Sequence, residues 1–154
     1  MVEIRIEELN VTYQRADLDL LKQMLGLFAE VFDDHATYQE KIAADAYLES
    51  RLRDDSFIAL AAVVDGKVVG ALAAYVLKKF EQERSEIYVY DLGVSETCRR
   101  RGVATGLINE VRAIARGLGA YVIFVQADAG DEPAIKLYES LGTREDVHHF
   151  DIDP

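Results

Sequence analysis

The feature that most constrains this chain is a basic, glycine-bearing stretch between a strand pattern and a helix pattern. The stretch reads Arg99-Arg100-Arg101-Gly102-Val103-Ala104-Thr105. An apolar strand pattern over residues 86–94 precedes it, and an amphipathic helix pattern over residues 103–117 follows. A helix N-terminus offers unpaired backbone N–H groups to an anion, and glycine lets the backbone approach a phosphate closely. The pattern predicts a diphosphate cradle, with an exposed basic turn that caps an ordinary helix as the alternative.

Two better-known phosphate motifs do not fit the same residues. A P-loop needs Gly-Lys followed by Ser or Thr, and the chain contains no such triplet. The dinucleotide fingerprint needs a glycine spacing that Gly102, Ala104 and Gly106 do not provide. What remains is R-x-x-G-x-A between a strand and a helix.

Length and composition predict a single soluble domain over residues 1–154. Half of the residues are hydrophobic, 29% are charged, and the formal net charge is −11. A field of that sign repels nucleic acid and attracts cations. The N-terminus alternates like a strand, and no apolar run has the length of a membrane span, so we expect neither a signal peptide nor a membrane partner. With Cys98 as the single cysteine, we expect a cytoplasmic protein and an inert thiol rather than a nucleophile.

The order of the elements predicts a mixed α+β sheet whose central strand leads into the cradle. Asp65-Gly66 between two apolar runs predicts a hairpin. The predicted strands lie at residues 2–6, 57–64, 67–77, 86–94, 120–127 and 147–152, and the predicted helices at residues 17–32, 43–53, 103–117 and 134–141. Leu107, Ile108, Val111, Ile114 and Leu118 are expected on the inner face of the third helix.

Together with a second motif, the cradle gives a resemblance to a known family. Ala134-x-x-x-Tyr138-x-x-x-Gly142 follows the next strand. The arrangement resembles the GNAT superfamily of acetyl-CoA-dependent N-acetyltransferases. From Phe57 onward, stretches such as Gly70-Ala71-Leu72-Ala73-Ala74-Tyr75 are similar to the aminoglycoside (gentamicin) 3-N-acetyltransferases of that type. The resemblance implies an α+β GNAT fold, in which a mixed, mostly antiparallel central sheet is flanked by helices. It also implies an acetyl-CoA cleft between splayed central strands.

The resemblance implies acetyl-CoA as cosubstrate, with its pyrophosphate held by the seven residues of the cradle. It also implies that the pantetheine arm pairs with a strand and that a backbone N–H near Leu92 holds the acetyl oxygen. The remaining residues expected at the cosubstrate are Leu92, Gly93, Val94, Ala127, Asp131, Ala134, Leu137 and Tyr138.

Three residues are candidates for proton transfer. By resemblance, Tyr138 is the general acid for the departing thiolate; the alternative is a core tyrosine on an amphipathic helix. Glu86 or Asp91 is the candidate proton acceptor, or else a salt-bridge partner of Arg84. Residues 86, 88 and 90 share one face of a regular strand, with Asp91 on the other unless a bulge intervenes.

A polycationic acceptor needs acidic walls, and the chain is rich in acidic residues. The candidates for substrate binding are Asp33, Asp34, Tyr38, Tyr90, Asp128, Glu145, Asp146, Asp151 and Asp153. Most of the acidic residues are expected to be ordinary solvated charge. His148 and His149 are adjacent on a predicted strand and point to opposite faces, so we expect no metal site.

The leading hypothesis is transfer of acetyl from acetyl-CoA to the 3-amino group of an aminoglycoside such as gentamicin, which confers antibiotic resistance. One alternative is acetylation of a polyamine or of a lysine-like amine on a protein. A second alternative is a non-catalytic acetyl-CoA-binding sensor module. The resemblance also implies a homodimer, and we expect no nucleic-acid partner.

Overall fold

The computed structural model describes residues 9–154, which form two compact units. The first unit extends to Phe124, and the second spans Val125–Pro154. The strand predicted at residues 2–6 lies outside the described residues.

The first unit is built on a sheet of five strands in the order β1-β2-β3-β4-β5. The strands are β1 (Thr12–Arg15), β2 (Phe57–Val64), β3 (Lys67–Lys78), β4 (Ser85–Val94) and β5 (Ala120–Val125). The first four pair antiparallel. Tyr121 hydrogen-bonds Glu86 and Phe124 stacks on Tyr88, so β5 runs parallel to β4. The predicted mixed, mostly antiparallel sheet is confirmed.

Helices cover both faces of this sheet. They are α1 (Leu18–Val31), α2 (Asp45–Leu52) and α3 (Val103–Leu118), with a π-helical turn at Ala36–Glu40 and a 3₁₀ turn at Glu96–Cys98. The predicted polar break after the first helix therefore contains a helical turn. The hairpin prediction is confirmed, since Asp65 and Gly66 both adopt the positive φ values of 50° and 77° that a tight hairpin turn requires.

The first helix begins where its sequence predicts. The Asp17 carboxylate accepts a hydrogen bond from the Leu20 N–H at 2.9 Å, which caps α1. The buried stripe of α1 packs on small side chains of β2 and β3, which let the helix lie close to the sheet. The members of this cluster include Leu21, Met24, Leu27, Phe28, Ala59, Ala61, Ala71 and Ala73.

The third helix packs on the opposite face of the sheet. Gly70 of β3 lies against Val103, the first residue of α3. A Cβ on Gly70 would fall 2.7 Å from Val103 Cγ1, so only glycine fits at this contact. Leu107, Ile108 and Val111 are buried as predicted. Leu118 was predicted on the inner face but is 52% exposed, because α3 ends there.

A β-bulge in β4 decides which way Asp91 faces. Ala73 lies opposite Asp91 and Ala74 lies opposite Val89, so Tyr90 is the extra residue. Ala73 belongs to the cluster under α1, and its partner Asp91 shares that face. The bulge therefore places Asp91 on the same face as Glu86 and Tyr88, the alternative that the sequence left open.

The second unit contains α4 (Glu132–Leu141) and the C-terminal tail. The Asp131 carboxylate accepts from the Ala134 N–H at 3.4 Å, and Pro133 lies in the first turn. The strand predicted at residues 147–152 is wrong, because residues 143–154 contain no strand. Val147, Phe150 and Ile152 are 68%, 80% and 89% exposed, and β-propensity without a partner strand does not make a ladder.

Candidate active site

Asp91 lies in a cleft of about 200 Å³ between the sheet and the first two helices. The carboxylate is half-buried, and apolar side chains of α1 and α2 form most of the wall. The Tyr38 hydroxyl donates a hydrogen bond to Asp91 Oδ1 at 2.8 Å. This arrangement leaves the second carboxylate oxygen available to an incoming group.

The surroundings of Asp91 suit a proton acceptor. Burial raises the pKa of the Asp91 carboxyl, and the hydrogen bond from Tyr38 opposes that rise. Burial and the same hydrogen bond raise the pKa of Tyr38, so the phenol stays protonated and remains the donor. A carboxylate with a raised pKa is a stronger base in its ionised form.

Tyr38 is held in place by two phenylalanines, Phe28 in α1 and Phe32 at the C-terminal cap of α1. Phe28 and Phe32 stack with their ring centroids 5.5 Å apart, and the Tyr38 ring lies 5.7 and 5.8 Å from them. The π-helical turn carries Tyr38 over the cleft. Tyr38 was predicted to contact substrate; in the structure its hydroxyl contacts Asp91.

We expect Tyr38→Phe to move the acidic limb of kcat/KM to higher pH. The hydrogen bond from Tyr38 stabilises the ionised form of Asp91, so its loss raises the pKa of that carboxyl. Thermal unfolding should show a loss of about 1 kcal/mol for one partly buried hydrogen bond. A pH profile of kcat/KM that is unchanged would contradict a role for Tyr38 in setting the ionisation of Asp91.

Glu86, the other candidate base, is occupied by local partners. It accepts a hydrogen bond from the Tyr121 hydroxyl, and Lys79 Nζ lies 3.9 Å from Glu86 Oε2. Arg84 pairs with Glu81 at 3.7 Å and stacks on the Tyr121 ring. The salt bridge from Arg84 to Glu86 or Asp91, which the sequence analysis gave as an alternative, is therefore not formed. The geometry favours Asp91 over Glu86 as the proton acceptor.

Aromatic side chains surround the bulge in β4. Tyr90, a predicted substrate residue, is 63% exposed and meets the rings of Tyr75 and Tyr88 edge-on at 6.0 and 5.5 Å. Sequence reasoning missed Tyr75 and Tyr47, which line the cleft beside Asp91. The sequence feature that could have pointed to these residues is the number of tyrosines, eight in 154 residues.

The cradle has the backbone shape that the sequence predicts. Gly102 caps the N-terminus of α3 with φ 78°, and Arg100 also has a positive φ of 61°. No side chain caps this helix end. A Cβ on Gly102 would meet nothing within 4 Å, so this position is open to a bound group. The Arg99 Nε donates to the Val94 carbonyl at 3.3 Å, which ties the cradle to the end of β4.

We expect Gly102→Ala to weaken acetyl-CoA binding about tenfold or more. The Cβ would occupy the open side of the cradle, where we predict that the pyrophosphate binds. A positive φ also costs a residue with a side chain about 1 kcal/mol. Isothermal titration calorimetry measures the binding. Gly117→Ala is the matched control, because Gly117 also has open space around a Cβ but lies at the far end of α3. Equal affinity for the two variants would remove Gly102 from the cosubstrate site.

The end of β4 extends past β5. Tyr88 stacks on Phe124 with the ring centroids 4.5 Å apart, and β5 ends one residue after Phe124. Leu92, Gly93 and Val94 therefore lie beyond the last residue of β5. The predicted splay and the pairing of Leu92 with a bound group remain predictions.

Some of the predicted site residues of the second unit have side-chain partners within that unit, among them Asp131, Asp146 and Asp151. Tyr138 is half-buried, and burial, with a smaller contribution from Asp131, raises its pKa to about 12. Arg144 pairs with Asp146 at 2.8 Å, and His149 pairs with Asp151 at 2.9 Å. The other predicted residues of this unit are Ala127, Asp128, Asp131, Ala134, Leu137, Glu145 and Asp153.

The two acidic residues before the π-helical turn differ in role. The Asp34 Oδ1 accepts from the Thr37 N–H at 3.1 Å, and hydrogen bonding from Thr37 lowers the pKa of Asp34. Asp33 adopts a positive φ of 49° at the end of α1. Asp34 thus stabilises the turn that carries Tyr38, and its predicted contact with substrate remains a prediction.

Within residues 9–154 there is no cluster of three or more His, Cys, Asp or Glu side chains arranged to hold a metal ion. Over the same residues, none of the helices combines the length and hydropathy that crossing a membrane needs. Cys98 is buried in the 3₁₀ turn before the cradle.

Comparison with known proteins identifies the family. The sequence model of the Acetyltransferase (GNAT) family matches residues 18–143. The chain therefore belongs to the GNAT family of acetyltransferases, which use acetyl-CoA as cosubstrate.

Solved structures of similar proteins include two aminoglycoside acetyltransferases from uncultured soil metagenomic samples. One is 49% identical with a TM-score of 0.91, and the alignment covers 94% of this chain and 99% of that one. The other, in complex with sisomicin, is 28% identical with a TM-score of 0.88, covering 97% and 99%.

Curated relatives are more distant. The probable N-acetyltransferase camello of Xenopus laevis is 30% identical over 98 residues, which is 64% of this chain and 43% of that protein. N-acetyltransferase family 8 member 2 of Rattus norvegicus is 31% identical over 85 residues, 55% of this chain and 38% of that protein. The chain thus spans less than half the length of these two relatives.

Proposed function

We propose that this acetyltransferase acetylates the 3-amino group of an aminoglycoside such as gentamicin and thereby confers resistance. The observation that carries the proposal is Asp91, a half-buried carboxylate with one engaged oxygen in a tyrosine-lined cleft. Similarity to aminoglycoside acetyltransferases supports the substrate class. The net charge of −11 favours the approach of a polycation.

In the proposed mechanism, Asp91 accepts a proton from the acceptor ammonium, which frees the amine for attack. The bulge at Tyr90 turns the carboxylate toward the cleft, and Tyr38 fixes its orientation. Acetyl-CoA supplies the activated acetyl group as a thioester.

The cradle binds the pyrophosphate through backbone N–H groups at the start of α3, helped by the three arginines. The open side of Gly102 fits this role. A backbone N–H near Leu92 holds the acetyl oxygen, and Tyr138 returns a proton to the sulfur.

Thiol release from acetyl-CoA tests the proposal, with gentamicin, kanamycin, spermidine and a lysine peptide as acceptors. We expect rapid release with the aminoglycosides, and NMR of the product to place the acetyl group on the 3-amino nitrogen. Turnover with spermidine or peptide alone would support the alternative amine substrates. Tight acetyl-CoA binding with no turnover would support a sensor.

A further inference from the structure

A row of aromatic rings crosses four neighbouring strands on the face of the sheet that carries Asp91. Phe57 of β2 lies opposite Tyr75 of β3, and their ring centroids are 5.5 Å apart. Tyr75 in turn lies opposite Tyr88 of β4. Tyr88 stacks on Phe124 of β5 at 4.5 Å. The proposed proton acceptor therefore lies beside a continuous aromatic surface.

Tyr75 of this row and Tyr90 form a corner that solvent reaches. Tyr90 is the extra residue of the bulge, and its ring lies 6.0 Å from the Tyr75 ring with the two planes 88° apart. Tyr75 is 41% exposed and Tyr90 is 63% exposed. Ala71 and Ala73, on the same face of β3, are by contrast buried in the cluster under α1. We call Tyr75 and Tyr90 the aromatic corner, whose nearly perpendicular rings offer aromatic surface to a bound group.

The electrostatics of this corner favour a cation. Burial raises the pKa of Tyr75, and the charge of Asp91 raises it further, so the ring lies in the field of that carboxylate. Arg51 is the other charged residue that lines the cleft, and its charge is paired with Asp54 at 3.3 Å. The face of an aromatic ring carries negative charge density, which attracts an ammonium group. The net charge of −11 acts in the same direction.

The corner suits an ammonium other than the one that reacts. Contact with a ring face stabilises the charged ammonium over the neutral amine, so a nitrogen held there keeps its proton. The reacting nitrogen has to give its proton to Asp91 before it attacks. Tyr75 lies two residues along β3 from Ala73, the partner of Asp91, which is about 7 Å along the strand. That separation leaves room for two nitrogens of one acceptor.

We propose that the aromatic corner binds a second, non-reacting ammonium of the acceptor, and that it thereby selects amines with another cation close to the reacting nitrogen over monoamines. The proposal rests on the proposed function in one respect, that the reacting amine lies against Asp91. Aminoglycosides and polyamines meet this requirement, whereas the amine of a lysine in a neutral peptide does not.

A pair of ligands of the same shape isolates the charge. Choline carries a cationic nitrogen where 3,3-dimethyl-1-butanol carries a neutral carbon. Without acetyl-CoA no transfer takes place, so ligand-observed NMR measures both dissociation constants directly. We expect choline to bind about fivefold or more tightly than the neutral alcohol. Its N-methyl signal should move upfield on binding, because protons over a ring face are shielded by the ring current.

We expect Tyr90→Leu to weaken choline binding about fivefold, with the affinity for the neutral alcohol within a factor of about two. The same variant should raise the KM for gentamicin and leave kcat nearly unchanged, because the contact is made before and during the reaction alike. Tyr90→Phe keeps the ring and should retain the affinity for choline. Phe80→Leu is the matched control, because Phe80 is fully exposed and lies beyond the end of β3. Thermal unfolding checks that each variant is folded.

Three outcomes would overturn the proposal. The first is equal affinity of the unmodified protein for choline and for the neutral alcohol. The second is an affinity for choline that Tyr90→Leu leaves unchanged, and the third is an equal loss in Tyr90→Phe and Tyr90→Leu. Failure of the proposed function is distinguishable, because it shows as no turnover of any aminoglycoside while the preference for choline is still measurable.

Discussion

Asp91→Asn should lower kcat/KM for the acceptor amine by about 10²–10⁴-fold, the usual contribution of a positioned general base. The amide cannot accept the proton of the ammonium, but it keeps an oxygen for the Tyr38 hydroxyl at the place of Oδ1. Steady-state thiol release at several pH values measures the effect. In the unmodified protein, activity should rise as the pH increases through the pKa of Asp91, because the base acts in its ionised form. In Asp91→Asn this rise of activity with pH should disappear.

Folding should not explain that loss. Burial raises the pKa of Asp91, which means that the folded state disfavours its charge, and the neutral amide removes this cost. The melting temperature of Asp91→Asn should therefore equal or exceed that of the unmodified protein. Glu86→Gln is the matched control, since Glu86 lies on the same face of β4 but is held by Tyr121 and Lys79. A larger loss in Glu86→Gln than in Asp91→Asn would reverse the assignment of the base.

Tyr138→Phe should lower kcat by about 10²-fold or more while acetyl-CoA affinity stays within a factor of about two, because only proton donation to the thiolate is removed. Burial raises the pKa of Tyr138 to about 12, so the phenol is protonated throughout the assay range. A general acid acts in its protonated form, so its contribution to the rate is lost only as the pH rises through its pKa. Any loss of activity below about pH 10 must therefore come from another group.

The control for this variant is Tyr121→Phe, which removes a phenol from the neighbourhood of Glu86 and should leave kcat nearly unchanged. Single-turnover kinetics, together with calorimetry on acetyl-CoA, separate chemistry from binding. Full activity in Tyr138→Phe with normal acetyl-CoA binding would leave Tyr138 as a packing residue of α4.

The sequence by itself determined the elements whose signals are local. Asp17 and the apolar stripe behind it predict α1, and Asp65-Gly66 predicts the hairpin of β2 and β3. Gly102 after a strand pattern predicts the start of α3. These features depend on backbone conformation and on periodicity within a few residues, which a single sequence displays directly.

The tertiary structure alone decided what depends on pairing between distant segments. One extra residue at Tyr90 reverses the face of Asp91, and a bulge is a property of two strands rather than of one. The contact between Tyr38 and Asp91 joins residues 53 positions apart, and Arg51 reaches the same cleft from another helix. The tail shows the converse: its strand-like sequence forms no strand, because a strand needs a partner that pattern alone does not supply.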